Sequence, residues 1–296
     1  MNLPAIIVPD TWLASAYLAE MQRSGDYIGR FAPSPSGALH QGSLIAALAS
    51  YLHAHWHGGV WCVRMEDVDV TRCDRGIGEA QIATLQRLGF EFDVPVWQSE
   101  RSALYQVAFE KLRAAGQVYP CTCTRKDIGT GVYKGLCRAG CATDKPIRSW
   151  RFRVDEAPVV WLDGDGRCYE ENLAASVGDF ALLRENDGQT EWTYQLAVVV
   201  DDAAQGVTHV VRGADLLDST ARQIALQRAL GYPTPIYSHF PLLVNEDGEK
   251  LSKSGQAPAL DAMDDLAVLL HAWRFLGGKN LSVANVSEFW AAVLVL

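Results

Sequence analysis

Residues 30–43 read RFAPSPSGALHQGS. The segment before this stretch, residues 27–31, is aromatic and β-branched and predicts a strand. Its middle, residues 32–37, is rich in Pro, Ser and Gly and predicts a turn. The segment after it, residues 42–57 (GSLIAALASYLHAHWH), carries apolar residues at helical spacing and ends on Gly58-Gly59. Residues 60–65 then predict a buried strand, and residues 75–88 a helix stopped by Gly89. Strand, helix, strand, helix at this spacing predicts an α/β fold with a Rossmann-like parallel sheet. The connection at residues 36–40 then lies at the carboxyl edge of the sheet, where such folds bind ligands. His40 precedes a helix whose free N-terminal amides favour anions. Gly37 and Gly42 have no Cβ and would let backbone approach a nucleotide closely.

The pattern continues outward. Residues 102–115 predict a third helix, and the cysteine-rich stretch 121–141 then breaks the alternation. Short strand-like pieces follow at residues 149–154, 159–162 and 167–170. Asp163-Gly164-Asp165-Gly166 reads as a plain hairpin turn. Its glycine spacing and the lack of a following Glu argue against a calcium loop. From Trp192 the α/β pattern resumes: an apolar segment at residues 194–200, a strand at 208–212, a helix at 216–230 and a strand at 236–240. Residues 250–254 read KLSKS, and two short helices, 262–275 and 282–296, close the chain. The expected organisation is an N-terminal extension (1–26), a first catalytic half (27–117), an insertion (118–191), a second catalytic half (192–240) and a KLSKS loop with C-terminal helices (241–296).

The two phosphate-suited segments, residues 30–43 and 250–254, resemble the HIGH and KMSKS signatures of class I aminoacyl-tRNA synthetases. They stand in the right order, about 200 residues apart, on either side of an insertion. The flanking RFAPSPSG and RMEDVD (residues 64–69) resemble the glutamyl branch. One departure is Gln41, where that signature usually has an apolar residue. The resemblance implies ATP with Mg2+, bound by Gly37, His40, Gly42 and Lys253, with His40, Lys250 and Lys253 as the catalytic groups. Two lysines on a Gly/Ser-flanked loop suit stabilisation of departing pyrophosphate. It also implies an L-glutamate pocket lined by Arg30, Phe31, Ala32, Pro33, Ser34, Glu66, Tyr194 and Arg212. The chemistry agrees, since a glutamate ligand needs cations for its side-chain carboxylate and an anion for its ammonium. A blander reading makes Arg64, Glu66, Asp67 and Asp69 a surface salt-bridge cluster.

Four of the seven cysteines (Cys121, Cys123, Cys137 and Cys141) fall within 21 residues. That clustering suits a metal site in a reducing compartment better than a disulfide framework. Zinc takes four ligands, largely sulfur or imidazole. The resembled family uses Cys-x-Cys, a Tyr, and a Cys four residues on, which implies structural Zn2+ on Cys121, Cys123, Tyr133 and Cys137. By chemistry alone Cys141 rivals Tyr133, because a phenol loses its proton near pH ~10. His53 and His57 share a helix face, yet no third ligand is evident there.

Hydrophobic residues make up 49% of the 296, enough for a sizeable core, and the net charge is -9. An acidic chain counts against a large nucleic-acid footprint. No apolar run reaches the ~18 residues of a membrane span, and the N-terminus lacks the marks of a signal peptide. A cytoplasmic monomer with no membrane role is expected. Only 42 residues follow Ser254, too few for the helical anticodon-binding region of a full glutamyl-tRNA synthetase. The shortened core with PSPSG and its cysteine insertion resembles the glutamyl-queuosine tRNA(Asp) synthetase family. That resemblance implies transfer of glutamate to queuosine at the wobble position of tRNA(Asp).

Overall fold

The computed structural model describes residues 27–141, 144–186, 188–241 and 259–295. Its first half alternates strands and helices: β1 (Ile28–Phe31), α1 (Gln41–Trp56), β2 (Val60–Met65), α2 (Arg75–Arg87), β3 (Val96–Trp97) and α3 (Ser102–Ala114). The three strands are parallel, in the order β1-β2-β3. Local chemistry sets the helix starts. His40 caps α1, and the Asp74 carboxylate caps α2 by accepting from Ile77 N.

An antiparallel unit follows. It contains β4 (Val118–Cys121), α4 (Arg125–Ile128), β5 (Ser149–Phe152), β6 (Val159–Leu162), β7 (Cys168–Glu171), α5 (Leu173–Ser176), β8 (Phe180–Asn186) and β9 (Gln189–Trp192). Its main sheet runs β4-β5-β8-β9, and β6 and β7 form a separate hairpin. Asp179 ties this unit together, accepting from Tyr119 OH, Arg138 and the Val154 amide.

The chain then returns to α/β order with α6 (Tyr194–Ala204), β10 (His209–Gly213), α7 (Leu217–Leu230) and β11 (Ile236–Phe240). Strands β10 and β11 are parallel. Thr208 N donates to Ile28 O at 2.9 Å, which brings the second half alongside β1. The residues that precede and open α6, and the carboxyl ends of β1, β2 and β10, therefore face a common region.

Two C-terminal helices, α8 (Asp265–Phe275) and α9 (Val286–Val293), cover α1 from the side away from the sheet. This explains why α1 is apolar almost all round. Leu44, Leu48 and Leu52 on it are fully buried, each worth about 1.5–3 kcal/mol. Polar clips fix the arrangement: Trp56 Nε1 donates to Val293 O, and Trp290 Nε1 to Leu88 O, both at 2.8 Å. Gln41 explains its departure from the apolar pattern in the same way, donating to Val268 O at 3.0 Å. The histidines of α1 serve aromatic packing. Tyr27 OH lies 2.6 Å from His53 Nδ1, and its ring stacks on His57 and His209.

Candidate active site

The loop between β1 and α1 is held from three directions. Gln81 on α2 donates to Ser34 O and Gly37 O at 3.1 and 2.6 Å. Glu66 N donates to Pro33 O, and Leu260 N to Leu39 O. His40 has extended backbone, and its Nδ1 accepts from Ser43 N at 3.3 Å. A Cβ on residue 42 would sit 3.0 Å from the His40 ring, so the glycine makes room for the imidazole itself. Gly37 is different: a Cβ there would meet nothing within 4 Å. Phe31 turns its ring into the core against Trp61, while Ser34 is exposed.

Behind this loop lies a buried ion network. Arg64 is fully buried and bonds Asp202 and Gln205, both at 2.8 Å, and Glu66 at 3.4 Å. Arg30 Nε donates to the same Asp202 at 3.3 Å. Asp201, equally buried, accepts from Gln98, Arg101 and Tyr105. The surface-cluster reading of Arg64, Glu66 and Asp67 is therefore wrong. All three are buried, and Asp67 accepts from the amide and hydroxyl of Ser99. Only Asp69 faces solvent, paired with Arg72. Burial pushes the Glu66 carboxyl up to about 7, against the downward pull of Arg64 and Arg30. Asp202 keeps a lowered value because the same two arginines outweigh its burial.

Tyr194 opens α6 beside this network. Burial and the Glu66 charge raise its phenol, while Arg212 and Arg30 lower it. Arg30, Glu66, Tyr194 and Arg212 thus share one electrostatic neighbourhood although 182 positions separate the first from the last. Arg212 is buried on β10 and donates to His239, Gln223 and Thr220.

The cysteine group lies in the antiparallel unit, at the end of β4. The sulfurs of Cys121, Cys123 and Cys137 are within 4.8 Å of one another. Tyr133 OH sits 3.3 Å from Cys121 Sγ and 3.7 Å from Cys123 Sγ. Tetrahedral zinc at about 2.3 Å from each sulfur needs sulfurs of this spacing. Cys141 packs against the group without joining its sulfurs. Burial raises the Cys121 thiol, but hydrogen bonds from Tyr133, the Cys123 backbone and Arg151 outweigh it and bring it down to about 7. The donor set therefore fits a thiophilic divalent ion.

The family described as "tRNA synthetases class I (E and Q), catalytic domain" matches residues 28–148 and 148–270. A glutamyl-Q tRNA(Asp) synthetase from Aromatoleum aromaticum is 50% identical over 89% of this chain and 86% of its own length. The chain belongs to the glutamyl-Q tRNA(Asp) synthetase family. A second member, from Burkholderia mallei, is 53% identical over 90% of this chain and 95% of its own. Among solved structures, glutamate-tRNA synthetase from Elizabethkingia anophelis is similar with a TM-score of 0.69 and 27% identity, over 77% of this chain. The chain spans about half the length of that longer enzyme, 52%. Family membership makes this a ligase-type enzyme of the synthetase class.

Among the site residues expected from sequence, the structure brings Arg30, Glu66, Tyr194 and Arg212 into one neighbourhood, and His40 opens α1 at the end of the loop that follows β1. Lys250 and Lys253 lie outside the described residues. The sequence reading missed the buried carboxylates of Asp201 and Asp202. Their signal was present: two adjacent acids inside the apolar run YQLAVVVDDAA, where a charge is unexpected without partners. Among the described residues no helix is long and apolar enough to cross a membrane.

Proposed function

We propose that this chain activates glutamate with ATP and transfers the glutamyl group to queuosine at the wobble position of tRNA(Asp). The observation that carries the reading is the meeting of Arg30, Glu66, Tyr194 and Arg212 beside the His40 loop, in a chain of this family. Arg212 and Arg30 offer guanidinium N–H groups to the carboxylates of glutamate. Glu66 and Tyr194 receive its ammonium. An α-carboxylate oxygen of glutamate then attacks the α-phosphorus of ATP, forming the mixed anhydride and releasing pyrophosphate. His40 and the amides opening α1 are donors for the phosphates, worth about 3–4 kcal/mol each where they meet transition-state charge. Lys250 and Lys253 are assigned to the leaving pyrophosphate. Mg2+ arriving with ATP supplies further charge neutralisation. A queuosine hydroxyl next attacks the activated carbonyl and AMP leaves.

Cys121, Cys123, Tyr133 and Cys137 would hold a structural Zn2+, closing the loop between β4 and β5 over the antiparallel unit. The unit itself (118–191) is assigned to grip the RNA, between catalytic halves 27–117 and 192–240. The chain is assigned to act as a monomer in the cytoplasm.

The decisive experiment is transfer of labelled glutamate to tRNA(Asp) with and without queuosine. Label confined to the queuosine-bearing sample is expected. Label on tRNA(Glu) instead would make the chain a compact conventional synthetase. Glutamate-dependent ATP–pyrophosphate exchange, strongly reduced by Lys253→Ala, separates both enzymes from a non-catalytic glutamate- or RNA-binding relative.

A further inference from the structure

We infer that Asp163 and His239 form a positioning relay that orients Arg212 for the substrate carboxylate. The inference rests on the assignment of Arg212 to glutamate. Asp163 belongs to the β6–β7 hairpin turn, which the sequence presents as a plain turn. The turn is instead seated against β11. Gly164 N donates to Tyr237 O at 2.8 Å, and a Cβ on residue 164 would lie 2.5 Å from Ser238 Oγ. No side chain fits there without moving the strand or the turn.

This seating drives the Asp163 carboxylate into the protein, where it is 1% exposed. Its Oδ2 accepts from His239 N at 3.0 Å, and its Oδ1 lies 2.6 Å from His239 Nδ1. An ionised carboxylate only accepts, so Nδ1 carries the proton. On the far side of the ring, His239 Nε2 lies 3.1 Å from Arg212 Nε, which only donates. Nε2 must therefore be the bare acceptor. Two neighbours of fixed polarity thus force one neutral tautomer. Protonation of the ring would remove the acceptor and set a second cation beside the guanidinium.

The relay completes a three-point mount. Arg212 Nε goes to His239, one terminal nitrogen to Gln223 Oε1 at 2.8 Å, and the other to Thr220 Oγ1 at 2.8 Å. Thr220 in turn lies 3.2 Å from His239 Nε2. A guanidinium has five N–H groups, so one hydrogen remains on each terminal nitrogen. Each terminal nitrogen can therefore still offer an N–H to a carboxylate. The cation of the glutamate pocket is thereby aimed by a residue 49 positions upstream, in the antiparallel unit.

The test is glutamate-dependent ATP–pyrophosphate exchange on the full chain, with KM and kcat resolved separately. In Asp163→Asn only one of the two His239 N–H groups keeps an acceptor: with the amide oxygen on the backbone N–H, the amide nitrogen donates to Nδ1 and turns the opposite nitrogen into an N–H facing Arg212. The KM for glutamate is expected to rise about 10- to 100-fold, the range for a lost hydrogen bond to a charged group. KM for ATP and kcat at saturating glutamate should stay within about twofold. His239→Gln keeps one donor and one acceptor about as far apart as the two ring nitrogens. It should recover most of the affinity that His239→Phe loses. If Asp163→Asn melts below the assay temperature, the Gln and Phe variants carry the same comparison. Folded Asp163→Asn or His239→Phe with unchanged glutamate KM, beside an Arg212→Ala protein whose KM rises, overturns the relay alone. An unchanged KM in Arg212→Ala overturns the pocket assignment and the relay with it.

Discussion

Glu66 is the residue whose protonation the site most visibly controls. Burial pushes its carboxyl up to about 7, well above the usual carboxylate range and against the pull of Arg64 and Arg30. In the proposed pocket, an arriving ammonium favours the carboxylate and expels the proton. Glutamate should therefore bind more tightly as pH rises through 7, and binding near pH 7 should release protons. Calorimetry in two buffers of different ionisation enthalpy measures that release directly. In Glu66→Gln the release should vanish and the glutamate KM should rise about tenfold or more. At this scale the sequence was legible where a residue's chemistry is local. His40 precedes a helix as read, while Gly42, read as room for a nucleotide, has its free space beside the His40 ring. For Asp201 and Asp202 the apolar run signalled burial but not the partners, since Arg30, Arg64 and Arg101 stand 100 or more positions away.

Among the elements, the parallel strands and their helices were readable because period and punctuation agree. The strand expected at 236–240 is β11 as observed, and Gly231 ends α7 in the left-handed conformation (φ 68°). Ends were less readable: the helix expected at 262–275 starts at Asp265, where Asp264 supplies the cap, and the helix expected at 282–296 covers only Val286–Val293. What no periodicity announced is how much α9 contributes. Trp290 is buried against Phe90 and Tyr51 and donates to Leu88 O, joining the last helix to α1 and the end of α2. Trp290→Ala should cost about 3–5 kcal/mol of stability. Chemical denaturation would show it as a lower midpoint at an unchanged slope.

Across the whole molecule, an order of parts could be read but not their meetings. The antiparallel unit interrupts the α/β alternation where the cysteine stretch breaks the pattern. Its hairpin nevertheless returns to the second half and docks on β11, a contact with no counterpart in local sequence. Turn residues report their own backbone and not the strand they will touch.

The ion network behind the loop is almost free of solvent, with Arg30, Arg64, Glu66, Asp201, Asp202 and Arg212 each 8% exposed or less. Mobile ions screen charges that they can surround, and these they cannot. RNA phosphates, in contrast, must be met at the surface of a chain carrying a net -9, where counterions compete at every contact. Ionic strength should therefore part the two half-reactions. Between about 50 and about 200 mM KCl, glutamate-dependent exchange should hold within about twofold while transfer to tRNA falls tenfold or more. On the proposed reaction, dissolved salt alone becomes a valve between making the activated amino acid and spending it.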